Sequence, residues 1–262
     1  MTPSRRAAGG RERTDALTAG ARRAGLLRRV LASLLLLAPL LLPATLGPAV
    51  AEAREGPRQN SRAQESRGTP GEFDFYVLSL SWSPTYCEDQ GRRASQEEQC
   101  SLARPYAFVV HGLWPQYERG FPRSCQVPPP YVPNPMVNSM LDLMPSRRLV
   151  IHEWKTHGTC SGLDAAGYFD LVRKAREKVV IPAEFHRLDA YQMIAPADLE
   201  AAFRAANPGL APDMMAVDCD RRRLREVRIC MSRDLAFRAC PEVDTRACRV
   251  PKIVMPPVRG GN

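Results

Sequence analysis

The chain has 262 residues, of which 44% are hydrophobic and 25% are charged, so it can fold around a full apolar core. Its formal net charge of +9 does not by itself indicate nucleic-acid binding. Residues 1–51 carry eight arginines against Glu12 and Asp15, a net of +6, which leaves only +3 for the rest of the chain. Composition therefore predicts one folded domain, and the overall charge cannot be used to argue for nucleic-acid binding.

Residues 1–51 are typical of a cleaved secretory signal peptide. Two arginine pairs precede the apolar run 30–38, and a small-residue site follows at 49–51. An uncleaved membrane anchor is the weaker interpretation, because Pro39 and Pro43 interrupt the run well short of the roughly 20 residues that a spanning helix needs. We expect a secreted or periplasmic protein without stable membrane association after cleavage.

Residues 52–71 lack large apolar side chains and are rich in charge, glycine, proline and serine, which predicts a disordered linker. The first strand is predicted at 73–82, where aromatic and β-branched residues favour a pleated surface, and we expect it to be central. A second strand is predicted at 107–110. His111 would then lie where this strand runs out into a loop.

Seven prolines interrupt residues 120–145, where a stripe of apolar side chains predicts one small packed helix: Met136, Met140, Leu141 and Met144. Longer helices are predicted at 149–159, 164–180 and 196–206, with Asp164 as an N-cap. Strands are predicted at 215–218 and 224–229. Strands and helices do not alternate strictly, so we expect an α+β domain at 72–255 with an antiparallel or mixed sheet and a flexible tail at 256–262.

The eight cysteines are an even number in a chain with an export signal, which predicts four disulfides in an oxidising compartment. A metal cluster is the weaker interpretation, because no Cys-x-x-Cys pair occurs. Spacing alone does not choose among the possible pairings. The cysteines are Cys87, Cys100, Cys125, Cys160, Cys219, Cys230, Cys240 and Cys248.

Three of the four histidines lie in two short segments, His111-Gly-Leu-Trp-Pro115 and His152-Glu-Trp-Lys-Thr-His-Gly-Thr-Cys160. His186 has no such context, and we expect it to be structural. If the second segment is helical, a rotation of about 100° per residue puts one set of polar side chains on a single face. That set is His152, Glu153, Thr156 and His157.

The pair His152-Glu153 resembles the His-Glu-x-x-His helix of zinc metalloproteases. Here the second histidine, His157, is five residues on, about 140° round the helix, so the two rings are poorly placed to share one metal. We therefore expect no metal and no other cofactor. Two histidines can instead take a proton from a hydroxyl and return one to a leaving oxygen, because their ordinary pKa near 6.5 allows both forms.

These two segments resemble the active-site segments of the ribonuclease T2 family, and residues 73–87 resemble the opening strand of its bacterial members. The resemblance extends from about residue 73 to 241. It implies a ribonuclease T2-like fold, in which helices flank a central sheet. It also implies a metal-independent endoribonuclease that cleaves single-stranded RNA with little base preference, by 2′-hydroxyl attack through a 2′,3′-cyclic phosphate to 3′-phosphate ends.

The resemblance also implies residue roles. His157 would deprotonate the ribose 2′-hydroxyl, and His111 would protonate the leaving 5′-oxygen. Glu153 would stabilise the transition state, His152 would hold the phosphate, and Trp114 would line a base or ribose pocket. The implied disulfides are Cys87–Cys100, Cys125–Cys160, Cys219–Cys248 and Cys230–Cys240.

One position departs from the family pattern. The family usually has lysine directly before the second-segment histidine, whereas this chain has Thr156 there and Lys155 one residue earlier. Our hypothesis is that Thr156 donates a hydrogen bond to the phosphate while Lys155 reaches round from the helix edge. RNA is the expected partner, and a monomer is the default.

Two other classes stay open. The departure at Thr156 keeps open a noncatalytic protein that binds RNA or another anionic ligand on the same fold. A metal-dependent hydrolase is a further alternative, and sensitivity to a chelator would distinguish it.

Overall fold

The computed structural model describes residues 68–259. The predicted signal peptide and most of the predicted linker lie outside the described residues. Residues 68–71, at the end of that linker, enter the domain through a turn in which the Gly71 amide donates a hydrogen bond to the Cys160 carbonyl (2.9 Å). No helix within the described range is both long and apolar enough to cross a membrane.

A four-stranded antiparallel sheet organises the domain. Its strands lie in the order β2 (Phe108–Gln116), β1 (Phe75–Trp82), β5 (Leu224–Met231) and β4 (Met215–Cys219). β1 pairs with a strand on each side, and all but one of its residues are buried. The predicted α+β class, the central position of the first strand and the antiparallel sheet are confirmed.

The predicted end of the second strand at residue 110 is wrong, because β2 continues to Gln116. Ser79 of β1 pairs with Gly112, whereas the next residue, Leu80, pairs with Val110. His111 is therefore the extra residue of a β-bulge inside the strand, which re-aims its side chain. The histidine lies within a strand and not in a loop.

The sequence conceals this strand because Gly112 and Pro115 are both disfavoured in strands. β2 is an edge strand of its sheet, where a proline without an amide hydrogen is tolerated. Leu113 between them is fully buried and anchors the segment to the core.

The three longer helices pack on one face of the sheet. They are α3 (Arg147–Thr156), α4 (Ala165–Glu177) and α5 (Pro196–Ala206). Trp154, Tyr168 and Phe203 from these helices share one buried cluster with Leu78 and Leu80 of β1. α5 has its predicted bounds.

Two predicted helix ends need correction. Asp164 caps α4 as predicted, accepting a hydrogen bond from the Gly167 amide (2.7 Å), but the helix ends at Glu177 and not at 180. α3 ends at Thr156 and not at 159, because His157 is its C-cap and residues 158–160 form a 3₁₀ turn.

The remaining elements are short: α1 (Ser83–Gln90), α2 (Asn134–Ser139), α6 (Pro241–Thr245), β3 (Gln192–Ile194) and β6 (Ile253–Met255). α2 covers only the start of the predicted methionine stripe, but Met140 and Met144 are buried, so the stripe packs in the core. β3 pairs with β6 in a second, two-stranded sheet that the sequence did not predict. Part of the predicted tail follows β6, and the Val258 amide donates to the Leu188 carbonyl (2.8 Å).

All eight cysteines are paired, which confirms the implied connectivity: Cys87–Cys100, Cys125–Cys160, Cys219–Cys248 and Cys230–Cys240. The second bond joins the loop after β2 to the 3₁₀ turn that follows α3. It therefore ties together two segments that border the candidate site.

Candidate active site

The alternation of side chains along β1 separates the core from the candidate site. Leu78 and Leu80 face the helices, whereas Phe75 and Val77 belong to a second cluster on the other face, together with Trp114. Phe75, Val77 and Trp114 also line a pocket of about 380 Å³. The end of α3 and β5 supply further lining: His152, Thr156, His157 and Arg228.

Trp114 lies at the centre of this site. Its ring centroid is 5.2 Å from that of His111 and 5.4 Å from that of His157, and the Arg228 guanidinium lies 5.6 Å from the indole. Its indole N–H donates to Glu153 Oε2 at 2.7 Å. The tryptophan therefore links the two histidines predicted to transfer protons.

His111 is held from both sides of its ring. Nδ1 lies 2.5 Å from Glu226 Oε1, and Nε2 lies 3.7 Å from Glu153 Oε1. Burial alone would lower the pKa of His111, but the hydrogen bond and charge of Glu226, aided by Glu153, raise it above its ordinary value. The protonated ring is thus favoured in this position.

The pKa of His157 is shifted in the opposite direction to that of His111. Burial, followed by the charges of His111 and His152, lowers its pKa to about 3. Its Nδ1 is buried and has no hydrogen-bond partner among the described residues. At neutral pH this imidazole is neutral and has a lone pair available to accept a proton.

Glu153 is 1% exposed, and burial raises its pKa to about 7 against the opposing effects of His111 and Trp114. It lies behind Trp114 and does not line the pocket. The predicted helical face is therefore divided: His152, Thr156 and His157 line the pocket, and Glu153 contacts Trp114 and His111.

Burial lowers the pKa of His152, with smaller contributions from the charges of His111 and Arg123. Lys155 does not line the pocket with Thr156. Its side chain lies in an adjoining groove with Arg93 and Arg148, and His152 borders both cavities. The structure therefore does not bring Lys155 to the two histidines.

Sequence reasoning missed Arg123, Glu226 and Arg228. Arg123 lines the pocket from the loop after β2, and its charge acts on both His152 and His157. The available signal for Glu226 was a carboxylate in a strand that also carries Leu224, Val227 and Ile229, residues that suit a buried position, since a buried charge requires a partner.

His186 lies away from these residues, and its Nε2 is 3.0 Å from the Ile181 carbonyl, in keeping with a structural role. Among residues 68–259, no group of three or more His, Cys, Asp or Glu side chains is arranged to hold a metal ion.

Comparison with known proteins identifies the domain. Residues 73–240 match the model of the Ribonuclease T2 family. The chain belongs to this family. The "Ribonuclease" of Aeromonas hydrophila is 38% identical over 184 residues, covering 66% of this chain and 79% of that protein. "Ribonuclease I" of Escherichia coli (strain K12) is 28% identical over 177 residues, covering 51% of this chain and 65% of that protein.

Solved structures share the fold. Trichomaglin, described as a novel S-like ribonuclease, has a TM-score of 0.59 at 23% identity, covering 71% of this chain and 99% of that chain. RNase NT in complex with 5′-AMP has a TM-score of 0.56 at 24% identity, with coverage of 71% and 99%. The implied family and fold are confirmed, and the chain is an endoribonuclease of the T2 type.

Proposed function

We infer that this ribonuclease cleaves single-stranded RNA by attack of the ribose 2′-hydroxyl, without a metal ion, giving a 2′,3′-cyclic phosphate and then a 3′-phosphate. One observation carries the proposal: two histidines in contact with the same tryptophan have pKa values displaced in opposite directions. A pair of groups separated in this way can provide a base and an acid at one pH.

His157 is the general base. Its neutral ring takes the proton from the 2′-hydroxyl, whose oxygen then attacks the phosphorus. The pKa of His157 is low in the free protein because burial and neighbouring positive charges disfavour the imidazolium. The negative charge of a bound phosphate opposes this effect and raises the proton affinity of the ring.

His111 is the general acid. Glu226 accepts the Nδ1 hydrogen, which leaves Nε2 to donate a proton to the departing 5′-oxygen. The 2′-hydroxyl is required as nucleophile, so DNA is not a substrate. Hydrolysis of the cyclic phosphate uses the same two groups with their roles exchanged.

The phosphate is held at the end of α3. His152 and Thr156 line the pocket there, and Arg123 supplies a permanent positive charge beside them. We assign Arg123, in place of the lysine usual in the family, as the cation that stabilises the phosphorane, because the structure puts Lys155 in the adjoining groove. Glu153 keeps Trp114 in place through the indole hydrogen bond.

The pocket beside Trp114 receives a base. Phe121 and Tyr117 contribute aromatic rings to its lining and Val243 an apolar side chain, and aromatic rings bind any base by stacking, which favours little base preference. With the predicted export signal and four disulfides, we place the protein in the periplasm or outside the cell, as a monomer.

The deciding experiment incubates the oxidised protein with single-stranded RNA and with DNA in excess chelator and analyses the product ends. We expect cleavage of RNA alone, with cyclic phosphate ends that later become 3′-phosphates. His157→Ala should abolish cleavage, whereas His186→Ala, which removes a histidine far from the pocket, should not. A requirement for added metal, or 5′-phosphate products, would exclude this mechanism.

A further inference from the structure

Glu226 is a buried carboxylate whose hydrogen bonds are all made within the site. The residue is 7% exposed and lies on β5. Oε1 is 2.5 Å from His111 Nδ1, and Oε2 accepts hydrogen bonds from Arg228 Nε (3.0 Å) and Nη2 (2.9 Å). Burial alone would raise its pKa, but His111 and Arg228 lower it to about 2, so the group is ionised.

The sheet has space for this contact because of two serines. β1 separates β2 from β5, so His111 and Glu226 lie on strands that are not neighbours. On β1, Ser81 pairs with Glu226 and Ser79 pairs with Arg228, on the face that carries the pocket. Larger side chains at these two positions would stand between the carboxylate and the histidine.

The bulge completes the arrangement from the other side. His111 is the extra residue opposite β1, so its ring is directed over the serines toward β5. Arg228 holds the Glu226 carboxylate from the other side, and the carboxylate contacts the Nδ1 nitrogen of the His111 ring.

We propose that Glu226 is the positioning residue of the general acid: it accepts the Nδ1 hydrogen of His111, fixes the ring, and keeps the proton for transfer on Nε2. This inference rests on the proposed function of His111. It adds a third side chain, from the C-terminal part of the chain, to the two proton-transfer histidines, His111 and His157.

Other charged groups also face His111, and some of them raise its pKa while others lower it. Glu153 of α3 lies 3.7 Å from Nε2 and favours the imidazolium. Arg228 disfavours it from β5, and the His152 and His157 rings do so from the α3 side if they become protonated. Glu226 is the group that makes a hydrogen bond to the ring, so its removal should change both orientation and proton affinity.

The choice of leaving group provides a specific test. A nucleoside 5′-oxygen leaves poorly unless it is protonated, whereas 4-nitrophenolate leaves readily without an acid. We would compare Glu226→Gln with the wild type on uridylyl-3′,5′-adenosine and on uridine 3′-(4-nitrophenyl phosphate). Asp218→Asn is the matched control, because Asp218 also binds Arg228 (3.3 Å) and has no contact with His111 among the contacts of the described residues.

We expect Glu226→Gln to lower kcat on the dinucleotide roughly 10- to 100-fold, a part of the total that general acid catalysis provides, with little change in KM. Activity on the nitrophenyl ester should fall by less than about 3-fold. The basic limb of the pH profile on the dinucleotide should move to lower pH, because His111 loses its proton earlier. Asp218→Asn should keep the wild-type pH profile.

Equal losses on both substrates, or no loss on the dinucleotide, would overturn the proposal. An NMR titration of the His111 ring adds a readout that does not need activity, and its pKa should be lower in Glu226→Gln than in the wild type. If the wild type fails to cleave RNA, the proposed function fails; an unchanged His111 titration in the variant would instead reject the Glu226 contact itself.

Discussion

Gly112 lies directly against the Glu153 carboxylate. A Cβ atom at this position would overlap Glu153 Oε2 and Trp114 Nε1, the two atoms that form the indole hydrogen bond. The glycine that follows His111 therefore allows an α3 side chain to reach across β2. Gly112 is needed here because it has no side chain, and not for its backbone, since its φ is not in the left-handed region.

Gly112→Ala should separate Glu153 from Trp114 and disturb both histidines. Overpacking of this kind costs about 1–3 kcal/mol, and we expect that loss in the free energy of unfolding together with a large loss of kcat. Gly167→Ala, in the first turn of α4, is the control and should change stability by less than about 1 kcal/mol. Urea unfolding and dinucleotide kinetics measure both, and wild-type kinetics in Gly112→Ala would contradict the argument.

The pH dependence of kcat/KM should reflect the two histidines of the free protein. His157 acts in its neutral form, and its pKa of about 3 keeps it neutral into acidic solution, so activity should persist well below pH 6. His111 acts in its protonated form, and its raised pKa should move the basic limb to higher pH than an ordinary histidine would give. An acid limb centred near pH 6.5 would show that the pKa of His157 is not lowered.

Stability should depend on the protonation of Glu153. Its pKa is about 7 in the folded protein and near the usual carboxyl value when unfolded, so its contribution is fully present below about pH 4.5 and is lost as the pH rises through 7. Glu153→Gln imitates the neutral acid and should lose less stability than the wild type between pH 5 and 8, by up to about 3 kcal/mol. Parallel unfolding curves of the two proteins across this range would refute the raised pKa.

Arg123 and Lys155 should differ in the length of substrate that they affect. Arg123→Ala should weaken cleavage of a dinucleotide, because the arginine lines the catalytic pocket. Lys155→Ala should leave the dinucleotide unchanged but reduce kcat/KM and its salt dependence on long RNA, whose further phosphates can reach the adjoining groove. Reversal of these two patterns would restore Lys155 as the active-site cation.

The Cys125–Cys160 bond should matter for activity as well as stability. It closes a separation of 35 residues, for which chain entropy predicts about 4 kcal/mol, and it fixes the loop that carries Arg123. Alanine at both positions should lower kcat/KM, whereas alanine at Cys87 and Cys100, which lie outside the catalytic pocket, should lower stability only. Equal activity of the two double variants, measured below their unfolding temperatures, would contradict this.

The sequence predicted what depends on short segments. Hydrophobic alternation located β1, capping and proline signals located α4 and α5, and the two histidine segments located most of the pocket lining near α3. The family resemblance supplied the disulfide pairing, which spacing alone could not choose.

What the sequence did not predict depends on contacts between distant segments. The bulge at His111 is defined by its pairing with β1, and nothing within β2 itself specifies it. Glu226 has a role only because two serines of an intervening strand leave room for its contact. The hypothesis that Lys155 reaches the ligand depends on its long flexible side chain, whose direction helical spacing does not determine, and the side chain lies in the adjoining groove instead.

The contact between His111 and Glu226 joins residues 115 positions apart and exists only when β1 is paired on both sides. A chain that ends before β5 would contain His111, Glu153 and His157 but could not orient the acid. If Glu226 is the positioning residue that we propose, full activity therefore requires the C-terminal strand to be in place in the sheet.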